Sequence, residues 1–167
     1  IERKRVAHAA AWPARSAPKR HRLTVVAYST RETVHLLGCW LSWMQHMMAA
    51  DPATAYTLHV MNAGAVDTQL TGNNFSRMSF RSKATFFADF VDQLPLGTTD
   101  PILMTDLDVL PLRPYSQLLR ALDRADLVFM RTPRGSKMGY VNAGFYLLRP
   151  TPPVRRFLLD VRAELGG

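Results

Sequence analysis

Two aspartates lie inside an apolar stretch of the chain. Asp106 and Asp108 are separated by a single leucine in PILMTDLDVLPL, residues 101–112. In extended backbone, residues two apart point to the same face, roughly 6–7 Å from each other. The two carboxylates are therefore expected to project together, while Leu107 and Val109 point into the core. Two like charges this close, and partly removed from water, raise each other's pKa.

A hard divalent cation would remove that electrostatic conflict. Mg²⁺ and Mn²⁺ take oxygen ligands, typically one or two carboxylates, and substrate phosphates and waters complete the shell. The pattern therefore indicates a metal site formed by Asp106 and Asp108 that binds a diphosphate ligand. The alternative is a structural turn, in which the two aspartates only end a strand before Pro111.

The elements that must position this pair alternate between strand and helix. Apolar, β-branched runs predict strands at 23–28, 56–62, 125–130 and 141–148, with a further strand directly before Asp106. Helical spacing of apolar residues predicts helices at 33–50, 81–94, 115–122 and 151–165. Since the strands are continuous apolar runs, we expect an α/β fold with a mainly parallel central sheet and helices on both faces. Ligands of such sheets bind beyond the carboxyl ends of the strands, where both Asp106 and the Ser29-Thr30 pair fall.

The length of 167 residues fits one domain preceded by a basic arm. Residues 1–22 hold seven Lys/Arg and one Glu, a net of +6 out of the +8 of the whole chain. We interpret 1–22 as a flexible arm and 23–167 as a single domain; a basic arm could instead contact an acidic partner or serve as a transit peptide. The single cysteine, Cys39, excludes an internal disulfide and a Cys-based zinc site. No stretch approaches the ~20 apolar residues of a membrane span.

Three stretches occur in an order that resembles a known enzyme family. PILMTDLDVLPLRP, ADLVFM and VNAGFYLLRPT resemble, in this order, the nucleotide-diphospho-sugar transferases of the GT-A fold. The closest likeness is to retaining enzymes, in which D-x-D is followed by a helix, a strand and N-x-G. The resemblance spans about residues 81–160 and extends weakly to LTVVAYSTR. It implies a Rossmann-like GT-A domain that transfers a sugar from a nucleoside-diphosphate sugar with retention, assisted by Mn²⁺ (or Mg²⁺).

The resemblance also implies roles for the residues at matching positions. Asp106 and Asp108 match the metal ligands, and Asp106 also matches a contact to the donor ribose. The implied catalytic residues are Asp106, Asp108 and Asn142. The implied donor-binding residues are Ala27, Tyr28, Ser29, Thr30, Arg81, Lys83, Asp106, Asn142, Ala143 and Gly144.

Elementary chemistry is consistent with several of these roles. Arg81 and Lys83 begin the predicted helix 81–94, with Ser82 as its N-cap, and a helix N-terminus offers free N–H groups to phosphate. Gly144 would let a sugar approach the backbone closely, and an asparagine in an apolar strand, Asn142, needs a polar partner. The alternative for this strand is a β-bulge at residues 143–144.

The sequence departs from the family pattern near its C-terminal end. Relatives commonly supply a further metal ligand, often histidine, from beyond the N-x-G strand, whereas all five histidines here precede Asp106. The domain also looks shorter than the family's, so we expect it to be truncated, minimal or inactive.

Two other functions stay open from the sequence. One is a non-catalytic nucleotide- or partner-binding module of the same fold. The other is a haloacid-dehalogenase-type phosphohydrolase, although that motif normally lies in the first strand and has Thr or Val where Leu110 stands. For a transferase the expected partners are a donor, with a UDP-sugar as first choice, and a glycan, protein or small-molecule acceptor. We expect no nucleic-acid partner. The sequence is compatible with a location in the Golgi lumen and with one in the cytoplasm.

Overall fold

The computed structural model describes residues 21–62, 73–131 and 141–166. Within these ranges the elements are, in chain order, β1 (His21–Ser29), a short 3-10 turn (Val34–Leu36), α1 (Leu37–Ala49), β2 (Thr54–Asn62), α2 (Asn73–Asp92), β3 (Ile102–Asp106), a long 3-10 helix (Tyr115–Asp123), β4 (Leu127–Arg131), β5 (Val141–Leu148) and α3 (Pro152–Gly166). The first strand begins two residues inside the segment that the sequence assigns to the basic arm. None of the helices in these ranges is long and apolar enough to cross a membrane.

The five strands form one sheet in the order β2-β1-β3-β5-β4. β1 pairs in parallel with β2 and with β3, whereas β5 is antiparallel to both β3 and β4. Four strands therefore run in one direction and only β5 runs against them, which confirms the predicted mainly parallel α/β fold. The reversal has a simple cause, since a parallel neighbour needs a crossover of about a dozen residues or more and fewer residues connect β4 to β5.

Two apolar layers cover the two faces of the sheet. Alternate residues of β1 point to opposite faces, so Val26 and Tyr28 pack with α2 and α3, while Val25 and Ala27 pack with α1 and the long 3-10 helix. The expectation of helices on both faces is thereby confirmed. Buried side chains on the α2 and α3 side also include Phe87, Val91, Ile102, Met104, Tyr146 and Leu158. Those on the other side include Trp40, Met44, Leu103, Tyr115 and Leu122.

Helix α2 begins eight residues earlier than the sequence predicts, at Asn73 instead of position 81. Arg81 and Lys83 therefore lie in the middle of the helix, and the predictions of an N-cap at Ser82 and a phosphate-binding helix terminus there are wrong. The reason is cooperativity. Once the buried C-terminal half of α2 is helical, each added residue gains a hydrogen bond at low cost, so Asn and Ser residues of modest propensity are included.

Two arginines of α3 hold the C-terminal end of α2. Arg155 donates hydrogen bonds to the carbonyl oxygens of Val91 at 2.6 Å, Leu94 at 3.2 Å and Pro95 at 3.0 Å. Two turns further along α3, Arg162 Nη1 lies 2.7 Å from Asp89 Oδ1. The Val91 and Pro95 carbonyls also accept from the N–H groups of Leu94 and Thr98, so Arg155 is an additional partner that ties the end of α2 and the residues after it to α3. These contacts fix α2 against α3 and hence against the sheet.

The difference in burial between two leucines predicts a large difference in how much their replacement by alanine destabilises the protein. Leu103 in the middle of β3 is fully buried, and Leu96 after α2 is 93% exposed. We expect Leu103→Ala to lower the free energy of unfolding by about 2–5 kcal/mol, because it removes apolar contacts and leaves a cavity. Leu96→Ala should change it by less than about 0.5 kcal/mol. Urea unfolding of both variants checks this, and equal losses would contradict the position of β3 at the centre of the sheet.

Candidate functional site

The carboxyl edge of the sheet brings the sequence-predicted residues together. β1 and β3 are parallel neighbours, and Tyr28 lies opposite Asp106 in their register. Because β5 is antiparallel, its first residues lie at this same edge. The register of β3 with β5, continued by one residue past its last pair, brings Gly144 opposite Asp106. The backbone of Asn142 lies two residues farther along β5, at the same edge.

A lysine of α2 neutralises the Asp106 carboxylate. Lys83 Nζ lies 2.6 Å from Asp106 Oδ2, and the two side chains are only 14% and 26% exposed, respectively. A contact of this length between a buried ammonium and a carboxylate is a charge-assisted hydrogen bond. Burial raises the pKa of Asp106, Lys83 opposes that rise, and the charge of Asp108 adds a smaller upward effect. The immediate partner of Asp106 within the protein is thus a cation, although Asp108 is close enough to affect it.

Asp108 does not share an extended backbone with Asp106. β3 ends at Asp106, and the next residues turn, with the Val109 N–H donating to the Asp106 carbonyl at 3.3 Å. Leu107 is buried as predicted, at 2% exposed, but Val109 is only partly buried and Asp108 is exposed. The expected strand geometry is therefore wrong from residue 107 onward, because the chain turns here instead of continuing the strand past its last β1 partner.

Tyr28 lies under the ion pair. Lys83 Nζ is 5.9 Å from the centre of its ring, a cation–π distance. The rings of Phe86 and Phe87 flank it with centroids 5.8 and 6.1 Å away. Burial raises the pKa of Tyr28 to about 12, with Ser82 acting against that rise and the charges of Asp106 and Glu32 adding to it.

The Tyr28 hydroxyl is buried and, within the described part of the chain, has no group in hydrogen-bonding geometry, although Ser82 is near. A buried polar group without a partner is costly, and Ser82 is the neighbouring group that acts on the Tyr28 hydroxyl. The phenol is protonated at neutral pH, as an unperturbed tyrosine also is, so it is available as a donor. Sequence reasoning identified Tyr28 but missed the nearby Glu32, whose charge adds to the rise in the Tyr28 pKa. The only indication of Glu32 in the sequence is that it is acidic and follows shortly after the polar end of a strand.

The residues that follow Tyr28 form a tight buried turn. Ser29 and Thr30 are 1% and 4% exposed. The Thr30 N–H donates to Thr33 Oγ1 at 2.8 Å, and the Thr30 carbonyl accepts from the N–H of Val34 at 2.9 Å. Ala27 is fully buried in the opposite layer. These predicted donor-binding residues therefore shape the edge through their backbone more than through exposed side chains.

The strand that carries the N-x-G residues is irregular. Phe129 of β4 pairs with Tyr146 of β5, but the next residue, Met130, pairs with Asn142. β5 thus advances four residues where β4 advances one, and Gly144 lies within this stretch. This register shift covers residues 143–145, the region in which the sequence left a β-bulge at 143–144 open as an alternative. Bulges are frequent beside active sites because they redirect a strand locally, so this finding is compatible with the donor-binding role as well.

Comparison with known proteins identifies the fold. No protein-family model and no curated protein matches the chain. Among solved structures, the galactosyltransferase LgtC in complex with donor and acceptor sugar analogs is similar with a TM-score of 0.53 and 15% identity over 85% of this chain. The apo-form glycosyltransferase GlyE of Streptococcus pneumoniae gives 0.52 and 15% over 86%. A glycosyltransferase involved in glycosylation of the major capsid of PBCV-1 gives 0.51 and 14% over 84%.

The chain has a GT-A-like glycosyltransferase fold. It spans 63%, 39% and 65% of the lengths of these three proteins, respectively. The likeness places β1 and β3 in an architecture that is shared with sugar-transferring enzymes, and this agrees with the resemblance read from the sequence.

The residues at the edge fit a cation only in part. Across the ranges 21–62, 73–131 and 141–166, no group of three or more His, Cys, Asp or Glu is arranged to hold a metal ion. Asp106 and Asp108 are two carboxylates of the kind that Mg²⁺ and Mn²⁺ accept when phosphates and waters supply the remaining ligands. One oxygen of Asp106 already binds Lys83. A cation here therefore depends on Asp108, the second Asp106 oxygen and a phosphate-bearing ligand.

The two aspartates should differ in their effect on the metal-free protein. We expect Asp106→Asn to lower the free energy of unfolding by about 1–3 kcal/mol, because it leaves the buried Lys83 ammonium without its anion. Asp108→Asn should change it by less than about 0.5 kcal/mol, because Asp108 is exposed. Urea unfolding in the presence of a chelator measures both values. A loss at Asp108 as large as that at Asp106 would show that Asp108 has a structural role.

Removal of Lys83 should make stability depend on pH. The folded-state pKa of Asp106 is already raised, and Lys83→Met removes the charge that opposes the rise. A carboxyl with a raised folded-state pKa contributes stability below its unfolded pKa of ~3.9, and this is lost as the pH rises through the folded value. The stability gap between Lys83→Met and wild type should therefore widen from about pH 4.5 to 7.5. In the Asp106→Asn background the same Lys83→Met change should give a gap that stays flat with pH, and a flat gap between Lys83→Met and wild type would refute the pairing.

Proposed function

We propose that the protein is a glycosyltransferase that transfers a sugar from a nucleoside-diphosphate sugar to an acceptor. The observation that carries this proposal is the position of Asp106 and Asp108 at the carboxyl end of β3 in a GT-A-like sheet, opposite Tyr28 of β1. LgtC, whose fold is similar, was solved with donor and acceptor sugar analogs. For this chain the donor and the acceptor, a glycan, a protein or a small molecule, belong to the proposal, as does the choice of a UDP-sugar.

A nucleoside diphosphate matches the charges at this edge. Lys83 supplies a partly buried positive charge beside Asp106. Asp106 and Asp108 would hold Mn²⁺ or Mg²⁺, with the diphosphate oxygens completing the shell. Such a cation would supply charge neutralisation of the departing diphosphate. The ammonium of Lys83 would act in the same direction, since it is held at the edge before the donor arrives.

The remaining donor contacts follow from the sheet. Tyr28, at the carboxyl end of β1 opposite Asp106, would border the nucleoside. The turn at Ser29 and Thr30 would shape the base and ribose pocket through its backbone. On β5, Asn142, Ala143 and Gly144 would line the sugar, because they lie at the Asp106 edge of the sheet and a glycine admits close approach. We further propose that transfer proceeds with retention, as in the enzymes that the sequence motifs resemble.

A second function is favoured by one specific observation. Asp106 is already paired with Lys83, and no third metal-ligating side chain joins the aspartates within the described residues. A domain of this kind could bind a nucleotide without turnover. The two functions differ in one measurable property, since only the transferase consumes a UDP-sugar.

Metal-linked nucleotide binding tests the site. We expect Mn²⁺ with UDP to raise the melting temperature, because a ligand at 100 times its Kd stabilises the folded state by about 2.7 kcal/mol. Asp108→Asn should abolish the Mn²⁺-dependent part of this shift. Asp100→Asn is the matched control, because Asp100 is half exposed and lies before the opposite end of β3, where it pairs with Arg22 at 3.6 Å; it should leave the shift unchanged.

The same samples distinguish the two functions. Release of the corresponding nucleoside diphosphate from any donor in a panel of UDP-, GDP- and CDP-sugars, monitored with Mn²⁺ present, would support the transferase. A Mn²⁺-dependent shift with no turnover on any donor would support the binding module. If Asp108→Asn retains the full Mn²⁺/UDP shift, the aspartate pair is a structural turn and the proposal fails.

A further inference from the structure

Three large apolar side chains are exposed together beside the candidate site. Trp43 on α1 is 37% exposed, Leu110 is 39% exposed and Leu112 is 87% exposed. They are adjacent because the Trp43 indole N–H donates a hydrogen bond to the carbonyl of Pro111, between the two leucines. We refer to Trp43, Leu110 and Leu112 as the Trp–Leu patch.

The surroundings of this patch are uncharged or basic. Helix α1 contains no Asp, Glu, Lys or Arg in its thirteen residues, although much of its outer face is exposed. Residues 109–122 contain two arginines, Arg113 and Arg120, both exposed, and no acidic residue. Along this loop the nearest carboxylate is Asp108. A surface helix normally presents charged residues to water, so a face without them indicates that it meets something other than water.

Trp, Leu and Arg in this arrangement match a lipid surface. Tryptophan prefers the interface, where its ring is apolar and its N–H is satisfied, as that of Trp43 is by Pro111. Exposed leucines enter the boundary between headgroups and acyl chains. Arginine at the rim is attracted to anionic headgroups. A protein partner fits less well, because a stable interface buries roughly 800 Å² on each side and three side chains expose far less.

We propose that the Trp–Leu patch docks the protein on an anionic lipid bilayer. Leu110 and Leu112 enter the acyl boundary, Trp43 lies at the headgroup level and Arg113 contacts the anionic headgroups. Since Leu110 follows Asp108 by two residues, docking places the aspartate edge of the sheet next to the lipid surface. The inference rests on surface exposure and charge alone, so it stands whether or not the protein transfers a sugar.

Vesicle binding by the full chain tests the proposal. The protein is sedimented with vesicles of phosphatidylcholine, with and without about a third phosphatidylglycerol. We expect Leu112→Ser to lower the partition onto anionic vesicles about tenfold, because one leucine is no longer buried. Leu96→Ser is the matched control, since Leu96 is 93% exposed on a different loop; it should change the partition less than about twofold. Circular dichroism confirms that both variants are folded.

A second readout separates the patch from the basic arm, whose net charge of +6 also attracts anionic lipid. In a Trp12→Phe background, which removes the tryptophan of the arm, brominated lipid should quench the tryptophan fluorescence, and Trp43→Phe should remove most of that quenching. Two results would overturn the proposal. One is equal partition of Leu112→Ser and Leu96→Ser, which would assign vesicle binding to the arm. The other is self-association that Leu112→Ser abolishes while vesicle binding is unchanged, which would assign the patch to a second copy of the chain.

Discussion

A carboxylate at the end of a strand that is buried on both faces requires a cation, and the ion pair of Asp106 with Lys83 meets that requirement. The lysine comes from α2, so the pair forms only if α2 lies at a fixed position along the sheet. Arg155 and Arg162 of α3 supply that constraint by binding the carbonyls and a carboxylate at the end of α2. The electrostatics of the candidate site thus depend on how one helix layer packs, not on the aspartates alone.

The same ion pair has a consequence for ligand binding. Lys83 and a divalent cation would share one carboxylate, which places two positive centres close together. A diphosphate relieves this repulsion, because its negative charge compensates the ammonium and the metal at once. Metal and nucleotide should therefore bind as a unit at this edge, with each weak alone. The two aspartates read from the sequence as a metal pair are, in the folded protein, part of a three-charge arrangement whose third member is Lys83.

Much of the fold could be predicted from the sequence, because strands buried on both faces are apolar runs that alternate with helical periodicity. The errors have physical causes that pattern reasoning does not include. The first half of α2 has weak propensity and is helical through cooperativity with its buried half. The turn after Asp106 is a tertiary outcome, since nothing local forbids two more extended residues. Lys83 was identified by its position in a resembling family, but its contact with Asp106, 23 residues away, depends on the packing of α2 against the sheet.

The segment after Asp106 links the candidate site to the exposed patch. One turn ends β3, exposes Asp108 and directs Leu110 and Leu112 outward, and the indole of Trp43 fixes that turn at Pro111. Asp108 has little freedom to move independently of Leu110, because only Val109 separates them and Pro111, directly after Leu110, limits the backbone there. Anything that contacts Leu112 therefore acts on the position of Asp108. If the patch meets a lipid surface and the edge binds a nucleotide sugar, the short loop between them couples lipid docking to donor binding. An acceptor presented at that lipid surface would then lie close to the bound donor.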